Sequence, residues 1–244
     1  MPPEPADKMS AHIFGHAPNE SAADLGWACF FGLAWFKVCP LMGISAPVQV
    51  LTEAEYLALE RAAPFKSEFF GGERFAMAGG TPMHSLIGTN VAIEFGSKLK
   101  GRPCVPFNAD LRVKVEETGL LTYPDLSVIC GAMKFAEDTD DTVTNPSVLV
   151  EVLSDSTERY DRGTKFDHYR KIPSLREYLL VRQHEPSVEM FIRQPNGDWL
   201  LRQATGLEAT LTIPSLEITI SLAEIYANVK FVPVPIRPQI PRTH

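Results

Sequence analysis

Apolar positions recur at helical spacing in a few stretches of the chain and at strand spacing in most of the others. Thr52 followed by Glu55 is a capping-box start, so a short helix is predicted through Arg61. Phe65 to Met77 reads as strand, Gly71-Gly72 turn, strand. Thr81-Pro82 is a cap followed by proline at the first helical position, and apolar residues continue at helical spacing to Leu99. Val105–Val115, Tyr123–Cys130 and Val148–Leu153 read as three further strands, and the acidic stretch from Ala136 to Asn145 as an exposed loop. A helix carrying Asp161 and Lys165 follows. Strands are then predicted at Glu177–Val181 and Ser187–Ile192, a turn at Pro195-Asn196-Gly197, strands near Trp199 and Thr210, and a closing helix capped by Ser221. Nothing repeats at a fixed period. The pattern is an α/β (α+β) unit with a mixed central sheet flanked by helices.

The pattern fails at both ends. Residues 1 to about 24 are rich in Pro, Ala, Ser and charge and lack periodicity, which predicts disorder. Leu25 to Ile44 is an aromatic-rich apolar run interrupted by Lys37 and Pro40, nearly long enough for a membrane span of ~20 residues. No basic segment precedes it, and Asp24 is the nearest charge upstream. A membrane anchor, a packing appendage and translated sequence upstream of a start at Met42 all fit; the last is preferred, and no membrane partner is expected. The expected domain therefore spans 45–230, between an extension over 1–44 and a Pro-rich tail over 231–244.

Charged residues inside apolar strands point to the chemistry. Asp125 opens one strand segment and Glu151 lies within Val148–Leu153. An ionised carboxylate there is costly unless a cation or a metal pairs with it. Lys165 lies on the next helix, one turn from Asp161 on the same face. Magnesium and manganese take hard oxygen ligands, and phosphodiester cleavage also needs a positive group near the attacking water and the phosphate. Asp125 and Glu151 fit the ligand role, and Lys165 the positive one. A buried ion pair with Lys165 is the plain structural alternative. Glu68 and His84 are the next candidates, His84 serving either as a helix-start residue or as a group that transfers a proton or binds phosphate. Asp110 would ligate metal or hydrogen-bond a turn. Tyr169 falls on the Lys165 face, placed to orient that ammonium or the phosphate.

Bulk composition narrows the partners. The chain has 244 residues, enough for one substantial core, with an ordinary 45% hydrophobic and 22% charged content. A net charge of −7 argues against nonspecific nucleic-acid binding by bulk electrostatics, while leaving room for a local basic groove. Cys29, Cys39, Cys104 and Cys130 form no CxxC pair, so neither a zinc site nor a disulfide scaffold is indicated. Reduced thiols in a cytoplasmic protein are expected.

Taken together, Glu68 with Gly71-Gly72-Glu73, His84, Asp110-Leu111-Arg112-Val113, Pro124-Asp125, Glu151 to Ser154, Asp161, Lys165 and Tyr169 resemble the Uma-two family of endonucleases. That family belongs to the PD-(D/E)XK restriction-endonuclease-like superfamily. The resemblance covers about Leu51 to Val229 and includes the run Tyr169-Arg170-Lys171-Ile172-Pro173-Ser174-Leu175-Arg176-Glu177-Tyr178. It implies a restriction-endonuclease-like mixed sheet, commonly assembled as a homodimer, and nucleic acid, most readily DNA, as partner. In the superfamily's usual E-x-K motif the lysine follows the glutamate by two residues, where this chain has Leu153. Lys165 looks like its migrated replacement.

The expectation is a metal-dependent endonuclease. Asp125 and Glu151 hold Mg2+ or Mn2+, and Glu68 is a further acidic ligand or a base that orients water. Lys165 positions the nucleophile, and His84 assists without touching the ion. The competitors are a catalytically inactive nuclease-fold DNA-binding or interaction module, and a polar network that serves stability alone.

Overall fold

The computed structural model describes residues 50–231 apart from Ala78. The Leu25–Ile44 run, Cys29, Cys39 and almost all of the expected tail lie outside these residues. The first helix, α1 (Glu53–Ala62), starts with the predicted capping box: Thr52 Oγ1 accepts from the Glu55 amide at 3.2 Å, and the Thr52 amide donates to Glu55 Oε2 at 2.7 Å. Such a cap contributes about 1 kcal/mol. A hairpin follows, β1 (Ser67–Phe70) and β2 (Glu73–Ala76), turning at Gly71 and Gly72, both at positive φ. The long helix α2 (Pro82–Leu99) comes next.

The rest of the chain builds the sheets. In order they are β3 (Cys104–Asn108), β4 (Arg112–Val115), β5 (Leu120–Thr122), β6 (Leu126–Cys130), β7 (Thr142–Val143) and β8 (Val148–Val152). Then comes one unbroken helical segment of three parts: α3 (Glu158–Tyr160), a π-helical turn (Asp161–Lys165) and α4 (Phe166–Tyr169). After it come β9 (Glu177–Val181), β10 (Ser187–Arg193), β11 (Trp199–Thr205), β12 (Thr210–Ile213), β13 (Ile218–Ser221) and the closing α5 (Leu222–Ile225). The central sheet is mixed, in the order β11-β10-β9-β8-β6-β3, with β8 and β9 parallel and the other pairs antiparallel. A second sheet runs β2-β1-β5-β4-β7, and β12 pairs with β13 alone.

Strand alternation sends residues from the central sheet into two cores. Val148, Val150 and Val152 of β8 and Leu179 and Val181 of β9 pack with Ile87, Val91, Phe95 and Leu99, which recur every fourth residue along α2. The opposite parity, Leu149, Tyr178 and Leu180, packs with Leu153, Tyr169, Ile172 and Leu175. Glu151 has the parity of Leu149, so its carboxylate faces the side on which Tyr169 and the π turn lie.

Four expectations are corrected. Val105–Val115 is two strands in different sheets, because Asn108 and Asp110 form a side-chain-to-backbone turn between them, Asp110 N–H donating to Asn108 Oδ1 at 3.1 Å. Tyr123–Cys130 begins as a strand only at Leu126, after Pro124, and Leu120–Thr122 is a strand of the other sheet. The acidic 136–145 stretch contains the buried β7, paired in parallel with β4. Cys104 and Cys130 stand opposite each other in the β3–β6 register and form a disulfide. Antiparallel pairing, with no local sequence motif, unites them, so cysteine usage no longer argues for a reducing compartment. Among the described residues no helix is long and apolar enough to cross a membrane.

Candidate functional site

Four elements deliver the charged residues to one place. Antiparallel register pairs Leu126 of β6 with Val150 of β8, which sets Asp125, one residue before β6, beside Glu151. The Val152 amide donates to Asp125 Oδ2 at 2.7 Å, and the Asp125 amide lies 3.4 Å from Glu151 Oε2. On β1, Glu68 accepts from Thr122 Oγ1 of β5. The π turn supplies Asp161 and Lys165, both buried; π turns inside helices occur often at functional sites.

Lys165 is the hub. Its Nζ lies 2.9 Å from Glu151 Oε1, 3.1 Å from Glu68 Oε1 and 3.5 Å from Asp161 Oδ1, with only 4% of the residue exposed. Tyr169 Oη donates to Glu151 Oε1 at 2.8 Å. Burial works against the ammonium, but the combined attraction of Glu151, Glu68 and Asp161 outweighs it and holds the Lys165 pKa well above the usual lysine value. Burial dominates at Glu151, aided by the Asp125 and Asp161 charges and opposed by Lys165, and pushes its pKa up to about 8. Asp161 is raised by burial too. One lysine thus faces three carboxylates, with Asp125 beside Glu151, and the cluster keeps a negative excess.

His84 enters from the first turn of α2. Thr81 caps that helix, its Oγ1 accepting from the His84 amide at 3.1 Å and donating to Gln183 Oε1 at 2.9 Å. His84 Nε2 sits 3.3 Å from Asp125 Oδ2. Its hydrogen bond with Asp125 and then that carboxylate's charge, together with the Val152 backbone, raise the imidazole pKa against the pull of burial.

The structure brings Glu68, His84, Asp125, Glu151, Asp161, Lys165 and Tyr169 together. Asp110 stays out: it is exposed, pairs with Lys66 and closes its turn, so its hydrogen-bonding reading holds. Residues that the sequence did not single out also serve the site. Thr122 holds Glu68, Gln183 ties the α2 cap to the Leu153 carbonyl, and the Lys165 ammonium lies 5.7 Å from the Tyr160 ring centroid. Thr122 lies two residues before Pro124-Asp125 and Tyr160 one before Asp161, a proximity that could have flagged both.

All of this forms the floor of a cleft of about 820 Å3, whose lining includes Glu68, His84, Asp125, Glu151, Asp161 and Lys165. The donor chemistry suits a hard divalent ion, since Asp125 and Glu151 offer carboxylate oxygens to the cleft. Among the described residues, no three Asp, Glu, His or Cys side chains stand in a ready-made metal shell. The Lys165 ammonium, within reach of Glu68, Glu151 and Asp161, occupies the space between them. An ion would therefore engage Asp125 and Glu151 from the cleft side, and Glu68 would join only by parting from Lys165.

Comparison with known proteins agrees with this architecture. The family model described as "Uma2: Putative restriction endonuclease" matches residues 53–223. Uncharacterized protein slr1290 of Synechocystis sp. (strain ATCC 27184 / PCC 6803 / Kazusa) is 35% identical over 187 residues, covering 77% of this chain and 97% of its own. Uncharacterized protein sll1609 of the same organism is 36% identical over 177 residues, covering 72% of this chain and all of its own length. A crystal structure from Anabaena variabilis ATCC 29413, described as a putative nuclease belonging to DUF820, superposes with a TM-score of 0.57 at 19% identity, over 71% of this chain and 96% of that one. That last likeness concerns the fold.

Proposed function

Since the chain belongs to the Uma2 family, we propose that it is a divalent-metal-dependent endonuclease hydrolysing phosphodiester bonds in nucleic acid, with DNA as the substrate class. The observation that carries this reading is Lys165 buried among Glu68, Glu151 and Asp161, with Asp125 beside Glu151, on the floor of an open cleft. A purely structural ion pair needs one carboxylate, and here there are several.

Asp125 and Glu151 would hold Mg2+ or Mn2+, Glu68 adding a ligand or orienting water. The bound ion would supply a nucleophilic water at neutral pH and offset charge gathering on the phosphate. Lys165 attracts the scissile phosphate and the attacking water to the cleft floor, and its raised pKa keeps it charged at every working pH. Tyr169 fixes the Glu151 rotamer from behind. His84, beside Asp125, is placed to hand a proton to the leaving oxygen.

The deciding experiment is single-turnover cleavage of varied DNA and RNA with magnesium or manganese, wild type beside Asp125→Ala. Wild type should cut and Asp125→Ala should lose at least ~100-fold in rate, the scale of removing one transition-state contact. A wild type inert on every substrate and metal would leave the inactive binding module in its place. We also propose the homodimer that the resemblance implies. The outer strand β11 exposes Leu200 and Leu201 beside an edge unpaired among the described residues, which asks for a cover. Sedimentation at micromolar concentration should give twice the single-chain mass, and a single-chain mass throughout would overturn it.

A further inference from the structure

The cleft has a second wall whose chemistry the catalytic reading does not use. Beside the carboxylates, Phe75 of β2, Met77 after it, and Pro82 and Met83 at the start of α2 line the same space. Phe75 is the decisive residue. In the β1–β2 register it stands directly across from Glu68, so the two side chains share one face of the hairpin. Its ring remains 48% exposed. An aromatic ring left in water on an edge strand, next to a proposed catalytic carboxylate, gives the fold little packing in return.

The charges that line the cleft make the choice of ligand. Among the described residues, Glu68, Asp125, Glu151, Asp155 and Asp161 are opposed there only by Lys165 and by the two histidines, His84 and His184. Duplex DNA carries one negative charge per ~1.7 Å of axis from its two backbones, and binds where lysines and arginines track both. This cleft offers no such track. A single strand brings half that charge density and adds free base faces. Stacking of bases on aromatic side chains is the usual basis of sequence-tolerant single-strand binding. The cleft volume falls within the ~300–1,000 Å3 typical of sites that enclose a small ligand, a scale that holds one or two nucleotides.

We propose that Phe75 and the apolar wall beside it form a base-stacking subsite, so that the cleft takes single-stranded or unpaired nucleic acid and sets the phosphate next to a stacked base over Lys165. The proposal rests on the nuclease reading for its placement of the phosphate, but its binding test is independent of cleavage. Because Phe75 is half-exposed, Phe75→Ala should leave the fold intact, with an unchanged melting curve.

The experiment measures equilibrium binding by fluorescence anisotropy, with a divalent metal present. The ligands are a labelled twelve-nucleotide single strand, the same strand with abasic residues, and its duplex; the proteins are wild type, Phe75→Ala and Phe75→Trp. The expected result is a preference of wild type for the single strand over the duplex. Phe75→Ala should weaken the intact strand about tenfold and leave the abasic strand unaffected, while Phe75→Trp retains wild-type affinity. Where cleavage is seen, Phe75→Ala should raise KM and keep kcat. Stacking without cleavage by any metal would uphold the subsite and remove the nuclease reading. Cleavage of duplex and single strand alike, indifferent to Phe75→Ala, would overturn the subsite and leave the nuclease. If Phe75→Ala instead alters only the sedimentation mass, the ring covers a second copy of the chain and the subsite is overturned. No binding of any nucleic acid removes both.

Discussion

Lys165→Met should destabilise the protein by about 3–5 kcal/mol in EDTA, the cost of stripping a buried charge cluster of its partner. The ammonium is shared by Glu151, Glu68 and Asp161, and no other cation lies within 4 Å of Glu151 or Asp161 among the described residues. Methionine fills much the same volume, so lost packing adds little. At pH 9, where Glu151 is ionised, Glu151→Gln should behave differently, remaining as stable as wild type or more so in EDTA, because it removes one negative charge from a cluster with an excess of them. In the double variant Glu151→Gln should recover part of the loss, since two residues in direct contact do not contribute additively. Both single variants should lose cleavage, but only Lys165→Met should lose stability. Urea titrations in EDTA give the comparison. A Lys165→Met variant as stable as wild type would mean the carboxylates are not a charged cluster in solution.

In EDTA the protein should become more stable as pH falls from about 8 toward 5. Glu151 titrates near 8 in the folded chain, against an ordinary glutamate value of 4.5 when unfolded. Between those two values the native state holds a proton that the unfolded state has released. Its contribution is therefore fully present below 4.5 and is lost as pH rises to about 8, an effect on the order of a few kcal/mol. Manganese should reverse the trend, because a metal-bound carboxylate must be deprotonated and protons compete with the ion. Cleavage should accordingly rise toward alkaline pH as Glu151 loses its proton. Melting temperatures from pH 5 to 9, with EDTA and with manganese, supply the check. Parallel curves in the two conditions would separate Glu151 from metal binding.

Much of this could be read from the residues themselves. Glu55 behind Thr52, Pro82 behind Thr81 and the i, i+4 apolar row of α2 each report a local preference, and those elements form where expected. Asp125 and Glu151 are conspicuous because charge in an apolar strand is costly, and Lys165 because it lies one helical turn from Asp161, both visible without coordinates. What escaped depends on distant partners. β7 is two residues long and exists because β4 pairs with it, and Cys104 meets Cys130 only through the β3–β6 register. Asp110 leaves metal ligation and a turn equally open in the sequence, and the structure shows the turn bond of a polar pair two residues apart. Phe75 acquires its place only through the register that sets it opposite Glu68.

The position of the lysine has a consequence for how the site comes into being. A lysine two residues after Glu151 would ride on β8, and the reactive group would be complete once that strand was paired. Here Leu153 packs in the core and the ammonium arrives twelve residues later, on a helix docked through Phe166 and Tyr169. A short helical segment laid on a sheet face can open before the strands beneath it. A chain with its sheet assembled and this segment still undocked would thus be harmless to nucleic acid. Catalytic power would be acquired at the final packing step and surrendered at the first loosening, well before the sheet itself comes apart.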